Sequence, residues 1–222
     1  MRFYAITSDA GTEIRPVQEW LFKKYAPDVK LEWLDVGDTP LCLWCKAVRD
    51  CLRMVSQKRI VLLLDDHLLI DKMGNMLADH GYDRIELGTI NGNHKGLKET
   101  DYHLVPYDEK TPYSVSTQPS IWNVEKLTQI LEQVDGSPWD FESTGRCKAA
   151  IVSNHIMRVI EESAISKRQK GRINLAGMRK EDIDSLVNLK LIDPELIVYG
   201  WKGNQNRTKQ SYGTKYADYY AD

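Results

Sequence analysis

The stretch Ile60-Val61-Leu62-Leu63-Leu64-Asp65-Asp66-His67 decides the fold. Its five consecutive apolar residues are typical of a central strand that is buried on both faces, as strands of parallel sheets are. Residues 3–7 and 29–34 also have strand-like patterns, and helical segments at 17–25 and 40–56 separate the three strands. Strands that alternate with helices predict an α/β fold, here a single-domain mixed, largely parallel sheet flanked by helices.

The remaining segments extend this pattern to about residue 200. Pro16 and Pro40 suit first helical positions, and Asp38 or Thr39 is a candidate cap for the second helix. Further strands are predicted at 84–87 and 102–107, and further helices at 71–80, 123–134, 155–165 and 180–189. We expect one domain over residues 1–200, followed by a polar tail at 201–222.

Composition and charge exclude several classes of protein. The 222 residues are 42% hydrophobic and 28% charged, which is ordinary for a folded domain and argues against disorder. The net charge of −2 gives no overall field that attracts polyanions, so a nucleic-acid partner would need a local basic patch. Because the longest apolar run is too short to span a bilayer and no signal peptide is visible, we expect a cytoplasmic protein.

The four cysteines are Cys42, Cys45, Cys51 and Cys147. Cys42 and Cys45 form a CxxC pair, which occurs in redox motifs and in halves of zinc sites. No second CxxC and no spaced histidine pair completes a metal cage. We therefore predict reduced cysteines buried in the core.

Asp65 and Asp66 are the first candidate site residues, because they follow the predicted central strand directly. Ligands of such sheets bind at the carboxyl ends of the strands. Two adjacent carboxylates at a buried strand end are costly unless something compensates their charge. A Mg²⁺ or Mn²⁺ ion bridging to a diphosphate is one compensation, and capping of the next turn with exposure to water is the alternative.

Three other segments carry candidate residues, each with a structural alternative. Residues 113–122 are dense in hydroxyl, amide and aromatic groups that suit a sugar, or they form a strand and turn with Trp122 in the core. In residues 137–142, Asp140 and Glu142 share one face if the segment is extended, so either suits a general base. Alternatively, Ser137 and Asp140 form a helix cap.

The third of these segments is the basic run at 167–172, which suits the phosphates of a nucleotide or of nucleic acid, although such runs are more often solvated loops. Basic and aromatic residues are also interleaved in the tail from 201 to 222. This pattern is similar to that of nucleic-acid-binding arms and equally to that of a disordered end.

The order of these elements resembles a family of small glycosyltransferases from bacterial and phage genomes. The resemblance spans about residues 1–195. It is carried by Asp65-Asp66-His67, Gln118-Pro119-Ser120-Ile121-Trp122 and Pro138-Trp139-Asp140-Phe141-Glu142. The acidic element here is Asp-Asp-His, whereas Asp-x-Asp is the familiar form. The resemblance implies a type-A glycosyltransferase-like fold and transfer of a sugar from a nucleotide-sugar donor to an acceptor hydroxyl.

The resemblance also implies roles for individual residues. In the donor site we expect Thr7, Ser8 and Asp9 near the base or ribose, Asp65 and Asp66 on a divalent cation (Mn²⁺ or Mg²⁺), and Arg168 and Lys170 on the phosphates. In the sugar and acceptor site we expect His67, Gln118, Trp122 and Trp139, with Asp140 or Glu142 as the catalytic base.

The acceptor is left open by the sequence. One possibility is a phage enzyme, active in the host cytoplasm, that modifies hydroxymethylated bases in DNA; the basic residues at 167–172 and in the tail favour it. The other is a transferase acting on a cell-surface glycan or a lipid-linked precursor, which the overall acidity favours. A different class altogether is a non-catalytic module that binds a nucleotide or nucleic acid.

Overall fold

A computed structural model of the chain describes residues 2–8, 14–74, 81–88, 104–106, 114–152, 156–157, 159–161, 173–175 and 177–198. The strands are β1 (Arg2–Thr7), β2 (Leu31–Asp35), β3 (Arg59–Leu64), β4 (His67–Leu69), β5 (Arg84–Glu86), β6 (Leu104–Pro106), β7 (Ser120–Asn123), β8 (Ala149–Val152), β9 (Val159–Glu161), β10 (Ile173–Asn174) and β11 (Ile197–Val198). The α-helices are α1 (Arg15–Tyr25), α2 (Trp44–Leu52), α3 (Val124–Val134), α4 (Pro138–Thr144) and α5 (Lys180–Asn188). Short 3-10 helices lie at Leu41–Leu43 and Pro194–Leu196.

The main sheet has seven strands in the order β2-β1-β3-β7-β5-β8-β6. The pairs β1–β2, β1–β3 and β5–β8 are parallel, whereas β7 is antiparallel to β3 and β5, and β6 is antiparallel to β8. Strands β2, β1, β3, β5 and β8 therefore run in one direction, and β7 and β6 run in the other. The predicted fold class, a mixed, largely parallel sheet flanked by helices, is confirmed.

Strand β3 lies between β1 and β7 and is covered on both faces, as its apolar run predicts. Val61 and Leu63 belong to a core cluster that includes residues of α1, whereas Ile60 and Leu62 belong to a cluster with residues of α2, α3 and α4. Successive side chains of a strand point to opposite faces, so a strand with helices on both sides requires apolar residues at every position.

The carboxyl ends of the five co-directional strands define one edge of the sheet, which we call the carboxyl edge. Because β7 runs the other way, its first residue, Ser120, pairs with Glu86 at this edge. Its last residue, Asn123, pairs with Arg59 at the opposite edge. Helix α3 follows Asn123 and leads back to the carboxyl edge, where α4 begins. The amide of Cys45 in α2 donates to the carbonyl of Gly136 at 2.9 Å, so the starts of α2 and α4 are neighbours.

Helix α1 is joined to α5 by a buried polar contact. The carboxylate of Asp182 is fully buried and accepts hydrogen bonds from Lys24 Nζ and Tyr25 Oη. Burial, together with the hydrogen bond to Asp182, raises the pKa of the Tyr25 hydroxyl far above its usual range. The charge of Asp182 is thus answered within the fold, and α1 is held at its carboxyl end.

Several local predictions are wrong. Neither Asp38 nor Thr39 caps α2, because a 3-10 helix precedes it and the Thr39 hydroxyl donates to the Val36 carbonyl instead. Residues 159–161, predicted as helix, form β9, which pairs with the unpredicted β4. Both strands have three residues, too few for a period-2 pattern to be distinguished from a helical one. Residues 71–74 are not helical, and 75–80 lie outside the described residues.

All four cysteines are free thiols. Cys45 and Cys147 are buried as predicted, but Cys42 is exposed and Cys51 is half-buried. The prediction is wrong for Cys42 because it lies in the 3-10 helix rather than on the inward face of a longer α2. Burial raises the pKa of the Cys45 and Cys51 thiols, which keeps both in the unreactive protonated form. Among the described helices, none combines the length and the apolar character needed to cross a bilayer.

Asn123→Ala is expected to lower stability by about 1 kcal/mol, because Asn123 caps α3 by accepting a hydrogen bond from the Lys126 amide at 3.1 Å. For a chain of this size the melting temperature should fall by about 2–4 °C, as measured by thermal denaturation followed by circular dichroism. Asn123→Asp keeps an acceptor at the same position and should melt close to the wild type. Equal melting of Asn123→Ala and the wild type would contradict the cap.

Candidate functional site

Polar side chains from three neighbouring strands meet at the carboxyl edge. Thr7 and Asp35 end β1 and β2, and Asp65 follows β3. Arg15, the first residue of α1, donates from Nε to Thr7 Oγ1 at 3.0 Å and from Nη2 to Asp35 Oδ2 at 2.6 Å. The Ser8 amide donates to Asp65 Oδ2 at 3.4 Å. We call these five residues the strand-end cluster.

The pKa values of Asp35 and Asp65, the two acids of this cluster, are shifted in opposite directions. The hydrogen bond from Arg15 holds the pKa of Asp35 below its usual range. Burial raises the pKa of Asp65, although hydrogen bonds from Thr7 and Ser8 oppose the rise. The protein therefore leaves part of the negative charge of Asp65 uncompensated. A half-buried acid with a perturbed pKa at a strand end is a candidate for ligand binding.

Asp66 and His67 complete the turn that Asp65 begins. The Asp66 side chain is partly exposed, and its Oδ1 lies 3.9 Å from His67 Nδ1. His67 is buried, and its Nδ1 lies 2.9 Å from the Leu64 amide nitrogen. An amide N–H only donates, so Nδ1 is the acceptor and the imidazole is neutral. The structure thus places His67, a predicted sugar contact, inside the turn, where it holds the backbone.

The chemistry of the two carboxylates fits a hard divalent cation only in part. The described part of the chain contains no group of three His, Cys, Asp or Glu side chains able to hold a metal ion by themselves. Mg²⁺ in nucleotide sites is commonly held by one or two carboxylates together with substrate phosphates and water. Asp65 and Asp66 suit that shared mode and do not suit a site made of protein ligands alone.

A second polar contact lies at the same edge, between α4 and the segment that enters β7. Glu142 Oε1 accepts two hydrogen bonds from Thr117, one from its amide at 2.6 Å and one from its hydroxyl at 2.7 Å. The backbone amide of Gln118 donates to Ser116 Oγ, and the backbone carbonyl of Gln118 accepts from Ser120 Oγ. The candidate residues Gln118 and Glu142 are therefore brought together by a fixed backbone segment.

The side chain of Arg84 holds residues 114–120 in place through hydrogen bonds. Its side chain is fully buried and donates to Ser120 Oγ at 3.0 Å, to the Ser114 carbonyl at 3.2 Å and to Glu86 Oε2 at 2.5 Å. The guanidinium also lies 5.7 Å from the centre of the Trp122 ring. One arginine thus anchors both ends of residues 114–120. The sequence analysis did not single out Arg84, because an arginine in a short strand carries no functional pattern of its own.

Asp140 lies in a capping box at the start of α4. Its Oδ2 accepts from the Ser137 amide and hydroxyl, and its own amide donates to Ser137 Oγ. These hydrogen bonds lower the pKa of Asp140. Residues 138–144 are helical, so Asp140 and Glu142 do not share one face of an extended segment, and the alternative, a helix cap formed by Ser137 and Asp140, is confirmed. Ser137 as cap and Pro138 at the first position favour the helix.

The two predicted tryptophans differ in exposure. Trp122 is 1% exposed and packs against Phe141 with 6.0 Å between ring centres. It therefore lies in the core, which was the alternative to a sugar contact. Trp139 is 63% exposed, and Leu41 and Leu43 are also exposed. The contact between Cys45 and Gly136 places all three on neighbouring elements at the carboxyl edge. We call Leu41, Leu43 and Trp139 the apolar rim.

The remaining predicted residues, Asp9, Arg168 and Lys170, lie outside the described residues. The structure adds Arg15 and Asp35, which the sequence analysis missed. The sequence contains a pattern that could have indicated them. Asp35 ends a segment of alternating strand pattern, and Arg15 precedes Pro16, which opens the first helix. Both positions belong to the carboxyl edge of an α/β sheet.

Comparison with known proteins finds distant structural similarity and no match in sequence. No protein-family model matches the chain, and no curated protein matches it. Two solved structures of S. aureus TarS are similar. One, of residues 1–349, has a TM-score of 0.39 and 14% identity over 71% of this chain and 59% of its own. The other has a TM-score of 0.37 and 11% identity over 74% of this chain and 38% of its own.

The chain thus spans less than two thirds of the length of either structure, and a likeness this low carries no argument about activity. The fold and the site together define the class: an α/β protein with an acid-bearing site at the carboxyl edge of its sheet.

Proposed function

We propose that the chain is a glycosyltransferase that moves a sugar from a nucleotide-sugar donor to an acceptor hydroxyl. The observation that carries the proposal is the half-buried carboxylate of Asp65 at the end of the central strand, whose pKa burial raises despite hydrogen bonds from Thr7 and Ser8. A cation shared with a donor diphosphate would offset the charge of Asp65. The motifs that resemble small glycosyltransferases meet at the same edge, which is consistent with one site.

The donor half of the proposed site is the strand-end cluster. The half-exposed carboxylate of Asp35, held by Arg15, is suited to accept hydrogen bonds from ribose hydroxyls, next to Thr7 and Ser8. Asp65 and Asp66 would hold Mn²⁺ or Mg²⁺, which offsets negative charge on the leaving diphosphate. Asp9, Arg168 and Lys170 stay proposed contacts of the nucleotide and its phosphates.

The acceptor half of the proposed site comprises Gln118, Trp139 and Glu142. We assign the general base to Glu142 because it is fixed to the Thr117 segment next to Gln118, whereas the carboxylate of Asp140 forms the capping box, whose hydrogen bonds lower its pKa. Glu142 would take the proton of the acceptor hydroxyl. The oxygen of that hydroxyl would then bond to the anomeric carbon of the donor sugar, and the nucleoside diphosphate would depart. This arrangement suits an inverting displacement.

The charges at the carboxyl edge favour an acceptor that is not a polyanion. Asp66, Asp140 and Glu142 would repel the phosphates of DNA, whereas the apolar rim suits the uncharged faces of a sugar or the apolar part of a lipid-linked glycan. We therefore propose a glycan or lipid-linked acceptor in preference to a hydroxymethylated DNA base. The basic residues at 167–172, which favoured DNA in the sequence, lie outside the described residues.

The test is thermal denaturation against a panel of nucleotide sugars, with and without Mn²⁺, followed by measurement of nucleoside diphosphate release. A bound donor at about 100 times its Kd should stabilise the fold by about 2.7 kcal/mol, and the shift should need Mn²⁺. Release of diphosphate should accelerate when glycan acceptors are added. A panel that gives neither shift nor release would exclude the transferase, and binding without turnover would support a non-catalytic nucleotide-binding module.

A further inference from the structure

Gln18 lies in the first turns of α1, beneath the acidic turn formed by residues 64–67. Its side chain is 0% exposed. Nε2 donates to the Leu64 carbonyl at 3.2 Å and to the His67 carbonyl at 2.9 Å. These are the first and last residues of the turn that carries Asp65 and Asp66. One amide group of α1 therefore spans the whole turn.

The position of Gln18 on the helix links this contact to the rest of the site. Residues three apart in a helix share a face, so Arg15 and Gln18 both face the strand ends. Arg15 binds Thr7 and Asp35 at the ends of β1 and β2, and Gln18 binds the turn after β3. The start of α1 thus contacts the ends of β1 and β2 and the turn that follows β3.

Burial of the Gln18 side chain leaves one of its polar atoms without a hydrogen bond. Among the described residues, its Oε1 has no hydrogen-bond partner, and a buried acceptor without a partner costs about 1–3 kcal/mol. The surrounding core is apolar, with Val17, Leu21 and Leu68 fully buried, so a methionine of similar volume would pack there without an unsatisfied oxygen. Packing alone therefore does not explain an amide at this position. Its two donated hydrogen bonds do.

The turn needs such a hold because it carries two adjacent carboxylates, which repel each other when both are ionised. The bond from the Leu64 amide to His67 Nδ1 closes the turn on one side, and the Asp65 amide donates to the Ile6 carbonyl at 2.9 Å. The carbonyls of Leu64 and His67 point to Gln18 instead. Loss of the side-chain amide would remove one hydrogen bond from the carbonyl at each end of the turn.

We propose that Gln18 is a positioning residue, which fixes the turn so that Asp65 and Asp66 keep one geometry toward a divalent cation. The inference rests on the proposed function, because it assigns the cation to these two acids. Gln18 itself contacts neither cation nor donor. It acts through the backbone of the turn, as the residues that orient metal ligands do.

The test compares Gln18→Met, which removes both donors and conserves volume, with Asn123→Ala, which lowers stability from the opposite edge of the sheet. Mn²⁺ together with pyrophosphate, which supplies the phosphate oxygens of the shared mode, is the probe, and Mn²⁺ bound to the protein is measured by electron paramagnetic resonance. Gln18→Met should bind Mn²⁺ about 10- to 100-fold more weakly than the wild type, whereas Asn123→Ala should bind it equally well. If Gln18→Met does not fold, Gln18→Asn serves instead, because its shorter side chain cannot reach both carbonyls.

A second measurement does not depend on the metal. Hydrogen exchange of the Leu64 and Asp65 amides, followed by NMR, should be faster in Gln18→Met than in Asn123→Ala by at least about tenfold, because the turn opens locally. Equal exchange in the two variants would overturn the positioning role. If the wild type binds no Mn²⁺ in the presence of pyrophosphate, faster exchange in Gln18→Met would show that Gln18 holds the turn, but the positioning role toward a cation and the proposed cation site would both be overturned.

Discussion

Asp65→Asn is expected to raise the melting temperature at neutral pH while it reduces sugar transfer by at least about 100-fold. Burial raises the pKa of Asp65, so the ionised side chain destabilises the fold at neutral pH, and a neutral amide removes that cost. The amide oxygen still accepts from Thr7 and Ser8. The gain should be on the order of a few degrees in thermal denaturation, and activity is followed by diphosphate release.

The pH dependence of this gain follows from the direction of the shift. A carboxyl group whose pKa is raised in the folded state binds more protons there than in the unfolded state, so stability falls as the pH rises through its titration. The destabilisation by Asp65 is fully present above its folded pKa and disappears below its usual value of 3.8. The difference in melting temperature between Asp65→Asn and the wild type should therefore be largest near neutral pH and shrink in acid.

The matched control is Asp28→Asn, which makes the same change at an exposed position in the turn after α1. It should leave both the melting temperature and the activity close to those of the wild type. If Asp65→Asn proved less stable than the wild type at neutral pH, the uncompensated charge would be absent. If it kept full transfer, the acidic turn would have no part in donor binding.

Glu142→Gln is expected to melt like the wild type and to lose about 10²- to 10⁴-fold in transfer rate, the usual contribution of a general base. The glutamine Oε1 still accepts the amide and hydroxyl hydrogen bonds from Thr117, so the segment before β7 stays in place. The side chain no longer takes a proton. Steady-state kinetics at saturating donor should show the loss in kcat, with donor binding unchanged.

Glu142→Ala separates this role from a structural one. It removes the acceptor as well, so the Thr117 amide loses its partner and stability should fall by about 1–3 kcal/mol. Asp140→Asn removes the other candidate carboxylate and should affect stability through the capping box more than it affects the rate. A glutamine variant as active as the wild type would show that Glu142 only holds the segment, and the base would have to be sought elsewhere.

The parts of the fold that the sequence predicts well are those with strong local signals. The apolar run of β3, the proline at the start of α1 and the helical period of α3 each correspond to an observed element. The place of Asp65 at the end of a central strand follows from the first of these. Local patterns of this kind depend on burial on one or two faces, which the residues of one segment record by themselves.

The contacts that build the site join residues that are far apart in the sequence. Gln18 meets His67 across 49 residues, and Thr117 meets Glu142 across 25. Which polar groups pair depends on sheet order and helix placement, and neither is written in any single segment. The short strands β4, β8 and β9 were missed for a related reason, since the pairing partner rather than the local pattern makes them strands. The sequence therefore indicates the candidate acids but not the residues that hold them.

The exposure of Cys42 has a practical consequence. It stands between Leu41 and Leu43, whereas Cys45 and Cys147 are buried and Cys51 is half-buried with a raised pKa. A thiol-directed fluorophore will therefore attach first to Cys42, without any engineered cysteine. The chain thus carries its own attachment point for an optical sensor beside the apolar rim, where binding of the proposed acceptor would change the emission of the dye.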